Sequence, residues 1–101
     1  MYSQWELNED LLTAIQKREM QRVEELIKLG ADVNYATMDG NTPLTFAIYG
    51  NDMGIIRFLL EKGADPMKKN RGVGGTEINA IYFARYIARN ETIANFLEWY
   101  W

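Results

Sequence analysis

The sequence carries one phrase twice, Gly30-Ala31-Asp32-Val33-Asn34 and Gly63-Ala64-Asp65-Pro66, and the two copies start 33 residues apart. A period of that length marks small units that cannot bury their apolar faces alone and must stack on one another. Shifting the middle unit back by 33 carries Leu44, Ala47, Ile48, Met53, Ile56, Leu59 and Leu60 onto Leu11, Ala14, Ile15, Met20, Val23, Leu26 and Ile27. The matched positions are apolar and recur at helical spacing, as side chains shared between stacked helix pairs must. A third copy needs a forward shift of 37, which lays residues 42–47 (TPLTFA) on 79–84 (NAIYFA) and Ile56, Leu59, Leu60 and Glu61 on Ile93, Phe96, Leu97 and Glu98. That one shift is expected to hold through both helices. The four additional residues then belong to the connection from Pro66 to Ile78.

Each copy is punctuated as a helix, a turn and a second helix. In the middle copy Thr42 can cap the first helix, while Pro43 takes the first helical position, where no amide donor is missed. Asn51 tolerates the left-handed backbone that ends this helix, Asp52 can cap the next one, and Gly63 stops it. Asn8 is the expected cap of the first copy, with Glu9 and Asp10 complementing the positive helix start, and Asn79 takes the role of Thr42 in the third. Helices are expected over 9–17, 20–29, 43–50, 53–62, 80–88 and 91–98. The chain is expected to be a single domain, 1–101, with repeats over 1–34, 35–67 and 68–101.

Between the two phrases, Asp39-Gly40-Asn41-Thr42-Pro43-Leu44-Thr45-Phe46-Ala47 resembles the T-P-L-H-x-A signature of ankyrin repeats, whose period is about 33 residues. The resemblance implies an all-α ankyrin-repeat solenoid of three helix-turn-helix repeats with hairpin fingers between them. Thr45 stands where that family has histidine, so its hydroxyl is expected to supply the hydrogen bonding that the imidazole makes between repeats. The first copy has Glu9-Asp10-Leu11-Leu12 in place of the motif, and the third lacks both the proline and the closing phrase. Such departures suit end repeats, which face water on one side. Asn34 is read as structural.

Composition removes most chemistry. The chain has neither cysteine nor histidine, so disulfides, thiolate zinc sites, cysteine nucleophiles and the commonest general base are all excluded. A hydrophobic share of 48% with 25% charged residues argues against wholesale disorder. The net charge of −3 runs against broad nucleic-acid binding, which depends on clustered Lys and Arg. No stretch reaches membrane-spanning length, and Met1-Tyr2-Ser3-Gln4-Trp5-Glu6 lacks the basic and apolar regions of a signal peptide. Together with the missing disulfides, this places the protein in the cytoplasm as an expectation. The run Gly72-Val73-Gly74-Gly75-Thr76 could cradle a phosphate, but it lacks the Gly-Lys-Thr or Gly-Lys-Ser of a P-loop. It reads as the tip of a lengthened finger.

The aromatic residues divide into two groups. Phe46, Phe58, Phe83 and Phe96 fall on apolar helical positions and are expected in the core. Tyr49 and Tyr86 fall on the exposed side of the inner helices, which lines the concave face in this family. Trp99, Tyr100 and Trp101 are expected to fold back over the last repeat.

The resemblance assigns contact positions by register. They are Trp5, Glu6 and Asn8 in the first repeat, and Ala36, Met38, Asp39, Asn41 and Tyr49 in the second. The third contributes Lys68, Lys69, Asn70, Arg71, Gly75, Thr76, Ile78 and Tyr86. The resulting surface is apolar and acidic at one end and basic at the other, which would steer a partner of reverse polarity. The expected function is non-enzymatic binding of another protein, with no cofactor, no metal, no nucleic acid and no membrane. Read as a whole protein and a monomer outside its complex, the chain would act by occupying a partner's surface, as an inhibitor or immunity-type protein. A scaffold or adaptor fragment of a larger ankyrin protein is the alternative, and a small-ligand or nucleotide binder is a third reading.

Overall fold

The computed structural model describes residues 2–71 and 77–100. They form three helix pairs: α1 (Gln4–Gln16) with α2 (Met20–Lys28), α3 (Pro43–Tyr49) with α4 (Met53–Glu61), and α5 (Ala80–Tyr82) with α6 (Glu91–Tyr100). A π turn, Phe83–Ile87, continues α5. Helix α1 packs on α3 and α3 packs on the π turn, so the inner helices line up in chain order. Between the last two pairs, β1 (Asn70–Arg71) and β2 (Glu77–Ile78) pair antiparallel, Asn70 opposite Ile78 and Arg71 opposite Glu77. This is the stem of the lengthened finger; the residues expected at its tip, 72–76, lie outside the described residues, as does Trp101.

The repeated phrase has a local physical cause. Gly30 and Gly63 follow the outer helices with φ of 111° and 100°, a left-handed backbone that favours glycine. The amides of Gly30 and Ala31 donate to Ile27 and Leu26, and those of Gly63 and Ala64 to Leu60 and Leu59, which completes the same helix-closing motif in each copy. Ala31 and Ala64 are buried. The aspartate that follows accepts the amide two residues on, Asp32 from Asn34 and Asp65 from Met67, each at 2.9 Å.

Each phrase is then held by side chains from earlier in the chain, in two different ways. The Asn34 amide group donates to Gly63 O (3.0 Å), and its Oδ1 accepts the Asp65 N–H (2.9 Å). One repeat earlier, two side chains share this work: Gln4 Nε2 donates to Gly30 O (3.0 Å) and Asn8 Oδ1 accepts the Asp32 N–H (2.8 Å). Gln4 also donates to Asn8 Oδ1, which locks the pair together. Asn34 is thus structural, as expected.

The first helix starts earlier than its apolar pattern suggests. Ser3, not Asn8, is its cap: the Ser3 hydroxyl accepts the Glu6 N–H (3.1 Å) and the Glu6 carboxylate accepts the Ser3 N–H (2.9 Å). Asn8 lies inside α1 and is 6% exposed. Thr42, Asp52, Asn79 and Asn90 cap α3, α4, α5 and α6 through their side chains. Thr45 does not bridge repeats. Its hydroxyl accepts the Thr42 N–H and donates to Thr42 O, which closes a capping box within its own helix.

The single shift of 37 also fails partway through the third repeat. In the first two, the residue opening the outer helix donates its amide five positions back, Glu19 to Ala14 and Asp52 to Ala47. In the third, Asn90 donates six positions back, to Ala84. One extra residue has entered the inner helix, and the π turn absorbs it through the five-residue bond from Ala88 N–H to Phe83 O. Beyond that turn the shift is 38, so Ile55, Ile56 and Leu59 match Ile93, Ala94 and Leu97, all buried. The left-handed turn residues Asn51 and Arg89 match at the same distance.

Apolar contacts fill the space between pairs. Leu11, Val23, Leu26, Ile56, Leu59, Ala84, Ala94 and Leu97 are completely buried, as the repeat overlay requires. Phe83 is buried, whereas Phe46, Phe58 and Phe96 are half-buried against the core rather than inside it. Both outer faces are closed by arginine. Arg22 stands where the middle repeat has the buried Ile55; it donates to the Tyr2 hydroxyl (2.9 Å) and pairs with Asp10 and Glu25. Arg85 stands where the middle repeat has Ile48, and it pairs with Glu91 (2.9 Å) and Glu98 while also reaching Asn95. Trp99 does not fold back over this face. It continues α6 and is 81% exposed.

Candidate functional site

The inner helices present a concave face whose centre is an apolar groove of about 360 Å³. Ile15 and Gln16 come from α1, Thr45, Phe46 and Tyr49 from α3, and Phe83 and Ile87 from the π turn; Asn41 and Gly50 close its ends. None of these lining residues is charged. Tyr49, which lines the groove, is 77% exposed, as register predicts; Tyr86 is 61% exposed and lies beside Arg85, Arg89 and Glu91 in a separate depression. Ile87 also lines the groove and is half-exposed, and Tyr82 is exposed with its ring 4.8 Å from that of Tyr86. Sequence reasoning missed Tyr82 and Ile87 because the shift of 37 puts Tyr82 on the buried Thr45 and Ile87 on Gly50. The six-residue gap between Ala84 and Asn90 is the signal that moves Ile87 onto Tyr49; Tyr82 keeps the register of Thr45, and its exposure had no such marker.

The first finger is a tight loop at the edge of the groove. Thr37 N–H donates to Asn41 O (2.8 Å), Gly40 N–H donates to Thr37 O (2.9 Å), and Asn41 N–H donates to the Thr37 hydroxyl (3.1 Å). Gly40 has φ of 81°, the left-handed position that follows such a turn. This backbone lifts Met38 clear of every neighbour, at full exposure, with Asp39 and Ala36 exposed beside it. Asn41 is half-buried where finger and groove meet. Below the loop, the Tyr35 hydroxyl donates to Glu9 (2.8 Å), and that carboxylate holds the phenol above its ordinary ionisation range, with burial adding to the effect.

The remaining expected contact residues are scattered. Trp5 is 64% exposed, but it sits on the first turn of α1 and not on a finger. Glu6 is exposed with its carboxylate committed to the Ser3 backbone N–H, which, with the Ser3 hydroxyl, holds its pKa below the usual value. Asn8 is buried and hydrogen-bonded, so it offers nothing to a partner. Lys68, Lys69 and Arg71 are exposed along the second finger, with Lys68 Nζ donating to Asn34 O (3.2 Å). Asn70 and Ile78 are half-buried as partners in the hairpin, and Ile78 packs against the core. Gly75 and Thr76 lie outside the described residues. Among the described residues, no three or more Asp or Glu side chains converge to hold a metal ion, and no helix is long and apolar enough to cross a membrane.

Stacked helix pairs with protruding hairpins and a continuous inner face define a repeat solenoid built for interaction. The family model described as Ankyrin repeats (3 copies) matches residues 7–70, and the chain belongs to the ankyrin-repeat family. Such repeats mediate binding to other proteins, which makes this chain a protein-interaction module. It is 50% identical over 40 residues to the putative ankyrin repeat protein FPV219 of Fowlpox virus, covering 40% of this chain and 9% of that protein. It is 40% identical over 63 residues to the 2-5A-dependent ribonuclease of Mus musculus, covering 60% and 8%. With protein lin-12 of Caenorhabditis elegans the identity is 35% over 66 residues, covering 65% and 4%. The matched segments thus span less than a tenth of each of these curated relatives.

Proposed function

We propose that this chain binds a single partner protein across its concave face and acts by occupying that partner's surface, in the manner of an inhibitor or immunity-type protein. The observation that carries the reading is the uncharged groove walled by the exposed Tyr49 and Ile87, with the exposed Tyr82 and Tyr86 pair on the same inner helix as Ile87. Exposed aromatic groups of this kind dominate interface energetics, because they bury a large area at small entropic cost. Met38 and Asp39 at the first finger, Trp5 on α1, and Lys68, Lys69 and Arg71 on the second finger extend the surface in this proposal. No catalytic step or cofactor forms part of it, and the proposed place of action is the cytoplasm.

A partner captured from the source cells provides the test. Replacing Met38, Asp39 and Tyr49 together with alanine should leave folding intact and abolish capture. Retained capture would move the interface to another face. Saturating the partner with the chain should then suppress the partner's own activity. Binding without such an effect would favour a second reading, an adaptor portion of a longer protein, which the small share of each relative that is matched also supports.

A further inference from the structure

The three inner helices do not present the same wall to the groove. Ala14, Ala47 and Ala84 each accept the amide that opens the following outer helix, but the third span is one residue longer. At the end of that span the shift is 38, so Ile87, 51% exposed, stands in the groove where the second repeat has Tyr49 and the first has Gln16. Single π turns inside helices recur at functional sites, and a half-exposed isoleucine contributes little core packing. A bulge kept without a gain in core packing marks this wall as a contact position.

Charge beside the groove narrows what would fit it. The inner helices end side by side in turns carrying Lys17, Arg18 and Arg89, and Arg18 donates a guanidinium hydrogen bond to Gly50 O at the groove's edge. Among the acids of these turns, Glu91 is taken by Arg85 and the Asp52 carboxylate accepts the Ile55 N–H. Glu19 stands beside them without such a contact among the described residues. With Glu91 paired to Arg85, Lys17, Arg18 and Arg89 stand against Glu19 and Asp52, which leaves the edge net basic by one charge (3 − 2), and the groove itself is uncharged. At about 360 Å³ it lies at the small end of ligand-sized cavities, which span about 300 to 1,000 Å³. This suits a side chain or two rather than a whole helix.

We propose that Ile87 and the basic edge of Lys17, Arg18 and Arg89 form the specificity-determining part of this surface, taking a bulky apolar side chain flanked by a carboxylate from an extended segment of the partner protein. The proposal rests on the concave face being the protein-binding face. Ile87 would set the shape of the subsite and the arginines and lysine would read the neighbouring acid.

A phage-displayed library of random peptides, selected on the full chain, tests this directly. Enriched peptides should carry Leu, Phe or Trp next to Asp or Glu. Ile87→Ser, a half-exposed position whose change should leave the thermal midpoint unaltered, should weaken a synthetic peptide of the enriched sequence by about tenfold or more. Lys17→Glu with Arg89→Glu should do the same, with the loss growing as salt is lowered. Enrichment of basic or proline-rich peptides would overturn the proposal, as would a library without binders. Peptides that bind equally well to all three proteins would also overturn it, yet would leave the concave face in place as the binding surface if Met38, Asp39 and Tyr49 substitutions abolish them.

Discussion

Arg85 occupies in the last repeat the position that Ile48 fills in the middle one, and it turns toward Glu91 and Glu98 where Ile48 turns into the core. Its side chain is only 21% exposed, because the carboxylates and Asn95 cover it. Arg22 does the same on the opposite face in place of Ile55. Stacked repeats need polar outer faces at their ends, and here a single residue type supplies both.

Replacing both arginines with isoleucine should convert the two end faces into copies of the interior. The doubly substituted chain is expected to self-associate, with a light-scattering mass that rises with concentration beyond that of the unaltered chain. Arg85→Ala alone should cost about 1 kcal/mol or less, since its carboxylate partners are largely solvated, and the loss should shrink in high salt. A mass unaffected by the double substitution would show that the end faces are guarded by something other than these charges.

Leu59→Ala removes a completely buried side chain from the middle of the inter-repeat core. Cavity formation there should cost about 2 to 5 kcal/mol, a large part of the stability of so small a stack. Chemical denaturation would record it as a lower midpoint at constant slope. An unchanged midpoint would contradict the repeat register.

Asn34→Ala removes the partners of Gly63 O and the Asp65 N–H, at a cost of about 1 kcal/mol, since water can reach both groups. Hydrogen exchange should show the faster-exchanging amide at Asp65, with the first helix pair unaffected. Asn8→Ala should do the same to Asp32, whose amide it holds. Uniform loss of protection across all three pairs would argue that these asparagines serve the whole fold and not one joint each.

Two ionisations link to stability with opposite sign. Glu6 is held below its ordinary value of 4.5 by the Ser3 backbone N–H, aided by the Ser3 hydroxyl. Its contribution is therefore complete above that value and is lost as pH falls through the lower folded one. Tyr35 is held above its ordinary value of 10.0 by its hydrogen bond to Glu9, so its contribution is complete below that value and is lost as pH rises through the higher folded one. Carboxyl chemical shifts should place the Glu6 midpoint low, with Ser3→Ala raising it through loss of the hydroxyl contact. The phenolate absorbance of Tyr35 should appear late, and Glu9→Gln should bring it earlier. Ordinary midpoints in both titrations would mean that neither contact persists in solution.

Much of this architecture was legible before any coordinates, for a definite reason. The positions that overlaid at 33 are core positions, and burial constrains them to apolar residues that pattern reading detects. Helix α1 began five residues early because its first turn is polar on most sides, and the Ser3 to Glu6 capping pattern was the only marker there. The hidden insertion in the third repeat escaped because Ile93, Phe96 and Leu97 are apolar enough to match at either 37 or 38. Of the surface positions, the exposure of Met38 and Tyr49 followed from register; Tyr86 is exposed too, but the π turn gives its place beside Tyr49 to Ile87. Asn8 and Ile78 did not, since Asn8 is buried while accepting the Asp32 N–H and hairpin pairing half-buries Ile78.

The π turn also separates two ways in which a binding wall can diversify. At Tyr49 the wall changes only by exchange of one side chain for another. Between Ala84 and Asn90 it tolerates a change in chain length, because the core residues on either side keep their places while the loop of helix between them grows. A variant library that adds or removes one residue at Tyr86 or Ile87 would therefore re-aim several side chains at once, reaching surfaces that no set of point substitutions on the other two inner helices can reach.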